Sequence, residues 1–113
     1  MFNPNNLLLQ KIKEKGGFIN AHAHFDRAYT VTEDNMEKVV NYHLFDKWDF
    51  VDKFKKQATV EDYLKNIVSA IEGQISYGVV GGLTFVDIDS VCGFKAIEAA
   101  QEAKRLYKGK FEL

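Results

Sequence analysis

A chain of 113 residues that is 46% hydrophobic and 27% charged holds enough apolar material for one globular core, and its composition does not suit disorder. The formal net charge of -1 provides no basic surface for nucleic acid. No apolar run reaches the roughly 18 residues of a membrane span, and "MFNPNNLLLQKIKEKGG" lacks the features of a secretory signal, so the reading is cytoplasmic with no membrane partner.

The opening stretch "NPNNLLLQKIKEKGG" predicts a short helix with Leu8, Leu9 and Ile12 along one side and lysines along the other, ended by Gly16 and Gly17. "FINAHAHF" follows with the alternation of a strand. A period of two puts Phe18, Asn20, His22 and His24 on one face and Ile19, Ala21, Ala23 and Phe25 on the other. Both faces are partly apolar, as expected of a strand covered on both sides.

Residues 33 to 57 are dense in aromatics and charges. Met36, Val39, Val40, His43, Leu44 and Lys47 fit a helical stripe, which Trp48, Phe50, Val51 and Phe54 extend after a break. "TVEDYLKNIVSAIEGQISYG" predicts the clearest helix: Thr59 caps it, Asp62 stands at the capping-box position, and Val60, Leu64, Ile67, Ile71 and Ile75 form its apolar face. Gly78 ends it. "VVGGLTFVDID" then predicts a strand finishing in Asp87 and Asp89, and "GFKAIEAAQEAKRLYKG" a helix with Phe94, Ile97, Ala100, Ala103 and Tyr107 inward. "KFEL" has the character of a further strand's first residues. Strands alternating with helices predict an α/β architecture with parallel pairing.

Lone Cys92 can form neither an internal disulfide nor a thiolate zinc site, and reads as a small buried residue. "DIDSVCGFKAIE" has acidic residues at calcium-loop spacings, but its glycine is displaced by one position and Val91 replaces an oxygen ligand, so the motif is rejected. His43 reads as a packed or surface histidine. Asp26 and Arg27 are suited to pairing with each other and holding the loop after the first strand, or to reaching toward substrate. Asp89 reads as a structural cap for the last helix, and Asp87 as either a cap or a residue of the site.

His22 and His24 carry the functional question. Residues i and i+2 of a strand project from one face about 6.6 to 7 Å apart, close enough for two imidazoles to converge on one ion. Imidazole is the commonest metal ligand near neutral pH, yet a catalytic zinc needs three protein ligands and an open position for water. Two histidines alone are equally at home as polar side chains facing solvent.

"GGFINAHAHFDRAYT" resembles the first barrel strand of the amidohydrolase superfamily, and Asp26 after the His-x-His resembles the cytosine deaminase branch. "QISYGVVGGLTFVDIDSVCGFKAIEAAQEAKRLYKGKFEL" is similar to the second strand, its helix and the approach to the third, so the resemblance spans roughly residues 16 to 113. It implies a partial TIM (β/α)8 barrel, the first two to three strands with their helices, and a divalent ion, zinc or iron, held partly by His22 and His24. Asp26, Arg27 and Asp87 would lie around the metal or toward the substrate. Phe25 stands where the family motif has leucine, and Phe85 where the deaminases usually carry a histidine, which argues against cytosine itself as substrate. The family's other parts, two further histidines, a general-acid glutamate and a late aspartate, have no counterparts here.

A complete barrel of this kind takes about 250 residues. The expectation is therefore that residues 1 to 113 are the N-terminal fragment of a metal-dependent hydrolase that uses metal-activated water on a C-N bond of a cyclic amidine or amide, with its general acid and base beyond residue 113 and no activity on its own. The alternative is a non-enzymatic metal-binding or interaction module, or one half of a two-chain barrel that self-associates or meets a complementing chain.

Overall fold

The computed structural model describes all 113 residues, Met1–Leu113. Helix α1 spans Pro4–Glu14; the Asn3 side chain accepts the Asn5 backbone N–H, and Pro4 occupies the first turn, where a missing N–H is harmless. Leu9 and Ile12 lie against Gly78, whose φ of 83° and lack of a side chain allow the contact. Leu8 is exposed instead of packed, because α1 meets the rest of the molecule only along the line of Leu9 and Ile12.

Strand β1 spans Phe18–Ala23 and strand β2 Val79–Thr84, and the two pair in parallel. Both end earlier than their alternation predicts: His24 lies just beyond β1, before the 3-10 turn Phe25–Arg27, and Asp87 and Asp89 lie beyond β2. At "KFEL", Glu112 makes a parallel bridge to Gly81, with Gly82 N–H donating to the Glu112 carbonyl at 2.8 Å and Glu112 N–H to the Val80 carbonyl at 3.0 Å. The result is a mixed α/β fold with a two-stranded parallel sheet and five α-helices.

The helical stretch expected over 33 to 57, with a break before Trp48, is two helices, α2 (Glu33–Val40) and α3 (Leu44–Gln57), and the break falls earlier, at residues 41 to 43. Their apolar stripe does not face a core. Met36, Val40, Leu44, Phe45 and Trp48 are exposed, and of the aromatics only Phe54 reaches the core, its ring 5.5 Å from that of Tyr63.

Helix α4 (Val60–Ser76) begins with the expected capping box, in which Thr59 N–H donates to the Asp62 carboxylate at 2.9 Å and Asp62 N–H to Thr59 Oγ1 at 3.1 Å. Its buried residues are Tyr63, Ile67 and Ile71; Tyr63 is missing from the predicted face because its polar hydroxyl disguises it. Helix α5 (Lys95–Leu106) packs on α4 through Ala96, Ala99, Ala100 and Ala103. Phe94 turns outward and Ile97 is only half-buried, since close approach to α4 selects the small residues. Ala23, Phe25, Cys92, Tyr107 and Phe111 complete the core, so that one face of the sheet is covered by helices. No helix is long and apolar enough to cross a membrane.

Ile67→Ala should lower unfolding free energy by about 2 to 5 kcal/mol and Thr59→Ala by about 1 kcal/mol. Urea midpoints read both, and equal losses would mean that the core does not centre on α4.

Candidate functional site

The position of the histidines follows from an irregular strand pair. The register runs Asn20 opposite Gly82 and then Ala23 opposite Thr84, so β1 carries one extra residue between these points. Such a bulge reverses the alternation. Asn20 consequently reaches the helical side, where its side-chain amide donates to Gln74 of α4 at 2.9 Å, while Ala23 and Phe25 enter the core. His22 and His24 project from the other face, which is open. The expected grouping of Asn20 with the histidines is therefore incorrect, and so is the expectation of a strand covered on both sides: Phe18, Ile19 and Ala21 are exposed.

On that face the Nε2 atoms of His22 and His24 are 3.3 Å apart and their ring centroids 5.2 Å apart. Two nitrogen ligands of one tetrahedral zinc, each at about 2.0 to 2.1 Å, are separated by about 3.3 to 3.4 Å. The pair thus fits two positions of such a centre; without an ion, one neutral imidazole can donate its Nε2–H to the other. No group of three or more His, Cys, Asp or Glu side chains is arranged to hold a metal.

The charged residues form a second cluster. Arg27 pairs with Asp87, not with Asp26: its Nε donates to Oδ2 at 3.0 Å and its Nη2 to Oδ1 at 2.7 Å. Lys55 of α3, nearly buried, reaches Asp87 at 2.7 Å and Asp89 at 2.6 Å. Asp26 is 1% exposed and receives the Asp87 backbone N–H on Oδ2 at 2.9 Å, while its Oδ1 has no partner. Asp26 thus clamps the two strand ends together through the main chain. Asp89 does not cap α5; its Oδ1 accepts the N–H groups of Val91 and Cys92 at 2.8 and 2.9 Å and shapes the turn before that helix. Cys92 is buried as expected.

These surroundings set the ionisation of the cluster. Burial pushes the Asp26 carboxyl up, against the pull of its backbone hydrogen bond. For Asp87, burial acts in the same upward sense but is outweighed by the hydrogen bonds from Arg27 and Lys55, so its pKa falls. Asp89 is lowered by Lys55 first and then by the N–H groups of Cys92 and Val91. Lys55 loses by burial and gains more from its two aspartates, so it is raised.

Sequence reasoning missed Lys55 and the contact made by Phe85. Lys55 sits among other lysines at the end of a charged helix, where nothing distinguishes it. Phe85 carries a recognisable signal, an aromatic side chain just past β2 with the spacing of the open face, and its ring lies 5.1 Å from His22 and 5.4 Å from His24.

No family model matches the chain. It is 48% identical over 101 residues to an uncharacterized protein of Haemophilus influenzae, covering 87% of this chain and 36% of that protein. It is 31% identical over 99 residues to N-isopropylammelide isopropyl amidohydrolase of Pseudomonas sp. (strain ADP), covering 86% of this chain and 25% of that enzyme. The chain therefore spans about a third and about a quarter of the curated relatives it matches. Its likeness to a hydrolase is distant and partial.

Asp87 and Asp89 have folded pKa values below their unfolded ones, so their stabilisation is present above the ordinary aspartate range and is lost as pH falls through the folded values. Lys55 stays protonated throughout that window. Lys55→Met should cost about 1 to 3 kcal/mol at pH 7, less than for a fully buried pair because Asp89 is open to solvent. In urea titrations the gap to wild type should narrow below about pH 4; a gap independent of pH would assign the loss to packing.

Proposed function

We propose that this chain is the N-terminal, metal-binding portion of a metal-dependent amidohydrolase of the cytosine deaminase-like kind. The observation that carries the reading is the 3.3 Å convergence of His22 and His24 Nε2 at the carboxyl end of β1, beside the end of β2. Parallel α/β folds place their chemistry at that end of the sheet. The distant similarity to an amidohydrolase supports the same direction.

His22 and His24 would supply two imidazole ligands to zinc or iron. When bound, such an ion makes water a nucleophile near neutral pH and so supplies hydrolysis of a C-N bond in a small cyclic amidine or amide. Arg27, partly exposed and fixed by Asp87, follows the pair in the loop after β1, and its guanidinium would suit a carbonyl or other acceptor of the substrate. Asp26 holds the loop that carries Arg27 against the end of β2. The remaining ligands and the proton-transferring groups come from polypeptide outside these residues, and without them the chain is inactive.

The open sheet face favours a second reading on the same fold, one half of a two-chain barrel. Ile19, Leu83 and Phe85 on that face are 63%, 66% and 59% exposed. Apolar side chains on an open sheet with an unpaired β1 edge call for a covering polypeptide.

Zinc and iron measured in the purified chain should exceed those in the His22→Ala, His24→Ala double variant; equal content would remove the role given to the pair. Co-expression with the part of the Haemophilus influenzae relative that this chain does not match should give a complex on a tag attached to this chain and raise its metal content. Failure of two separately folded pieces to associate would defeat the two-chain reading.

A further inference from the structure

We propose that Phe85 is a positioning residue that holds the His22 and His24 imidazoles in their convergent geometry before an ion arrives; the inference rests on the metal reading above. The three rings form a closed triangle. The Phe85 ring is nearly stacked on that of His24, at 5.4 Å and 22°, and tilted against that of His22, at 5.1 Å and 44°, while the imidazoles are 5.2 Å from each other.

The location of the phenyl ring is fixed by main-chain pairing. Phe85 N–H donates to the carbonyl of Ala23, the residue between the two histidines, at 2.8 Å. Two residues further on, Phe25 N–H donates to Thr84 Oγ1 at 3.0 Å. The backbone on both sides of His24 is thus tied to residues 84 and 85, and the phenyl ring is delivered against the imidazoles.

Phe85 is 59% exposed, outside the core that stabilises the fold. An aromatic ring left in solvent against two exposed imidazoles restricts their rotamers, and a donor pair already restricted loses less freedom when it chelates. No carboxylate or carbonyl is hydrogen-bonded to the side chain of either histidine, so the orienting task usual for a carboxylate or carbonyl beside a metal-binding histidine falls here to a hydrocarbon ring.

The test is a Co2+ titration of the full chain, followed by visible absorption, for wild type, Phe85→Ala, Phe85→Leu, Phe85→Tyr and the His22→Ala, His24→Ala variant. Phe85→Ala and Phe85→Leu should weaken Co2+ binding about tenfold, the low end for loss of a group that orients a ligand, and Phe85→Tyr should restore it. In the metal-free chain, the first two variants should also move the His22 and His24 Hε1 resonances downfield as the ring current disappears, with far-UV circular dichroism unchanged. Should Phe85→Ala disturb the fold, Phe85→Leu keeps the apolar volume and gives the same comparison. Wild-type affinity in Phe85→Leu, with the double-histidine variant weaker, would overturn the role of Phe85 and leave the metal reading standing. Equal affinity of wild type and the double-histidine variant would overturn the metal reading and this inference with it.

Discussion

Between Asn20 and Ala23, β1 carries one more residue than the stretch of β2 it pairs with. Regular pairing would put the histidines on the same side as Asn20, against α4, where an apolar core has no partners for two imidazoles. The extra residue sends Asn20 to Gln74, Ala23 and Phe25 into the core, and both histidines to the open face. The geometry of the pair, its contact with Phe85 and its access to a ligand all depend on this local irregularity. Bulges beside functional sites commonly re-aim side chains in this way.

A second constraint connects the site to the long insertion between the strands. Lys55 brings α3 to Asp87 and Asp89, Asp87 holds Arg27, and Asp26 accepts the Asp87 backbone N–H. From the other direction, Lys95 donates to the carbonyls of Lys55 and Ala58 at 2.7 and 2.6 Å, which fastens the C-terminal end of α3 to the start of α5. A nearly buried lysine is tolerated only with such partners. The insertion is therefore anchored at the carboxyl end of the sheet, and its exposed Phe45 and Trp48 belong to an element whose base is fixed.

The sheet has one finished face and one unfinished one. Helices α4 and α5 cover the first with Ile67, Ile71 and a line of alanines, whereas Ile19, Leu83 and Phe85 stand open on the second. The relatives that the chain matches are about three and four times as long as the matched part. Fold alone does not decide the activity; the proposal of metal chemistry rests on the paired imidazoles on that face.

Local signals determined much of the secondary structure. The Thr59–Asp62 box, the spacing of Ile67 and Ile71, and the glycines at 78 and 109 act through neighbouring residues, so α4, α5 and the placement of both strands were legible in the sequence. His22 and His24 were legible as a pair because i and i+2 on a strand share a side in any register. Which side they share, and with which neighbours, was decided by tertiary structure. The bulge arises from pairing with residues some 60 positions away, and so do the partners of Arg27, Asp26 and Phe85. Periodicity within one strand carries no information about an extra residue relative to another strand, and a charge pattern does not reveal which aspartate an arginine will meet. Those choices belong to the three-dimensional packing, where distant segments compete for the same hydrogen bonds and the same space.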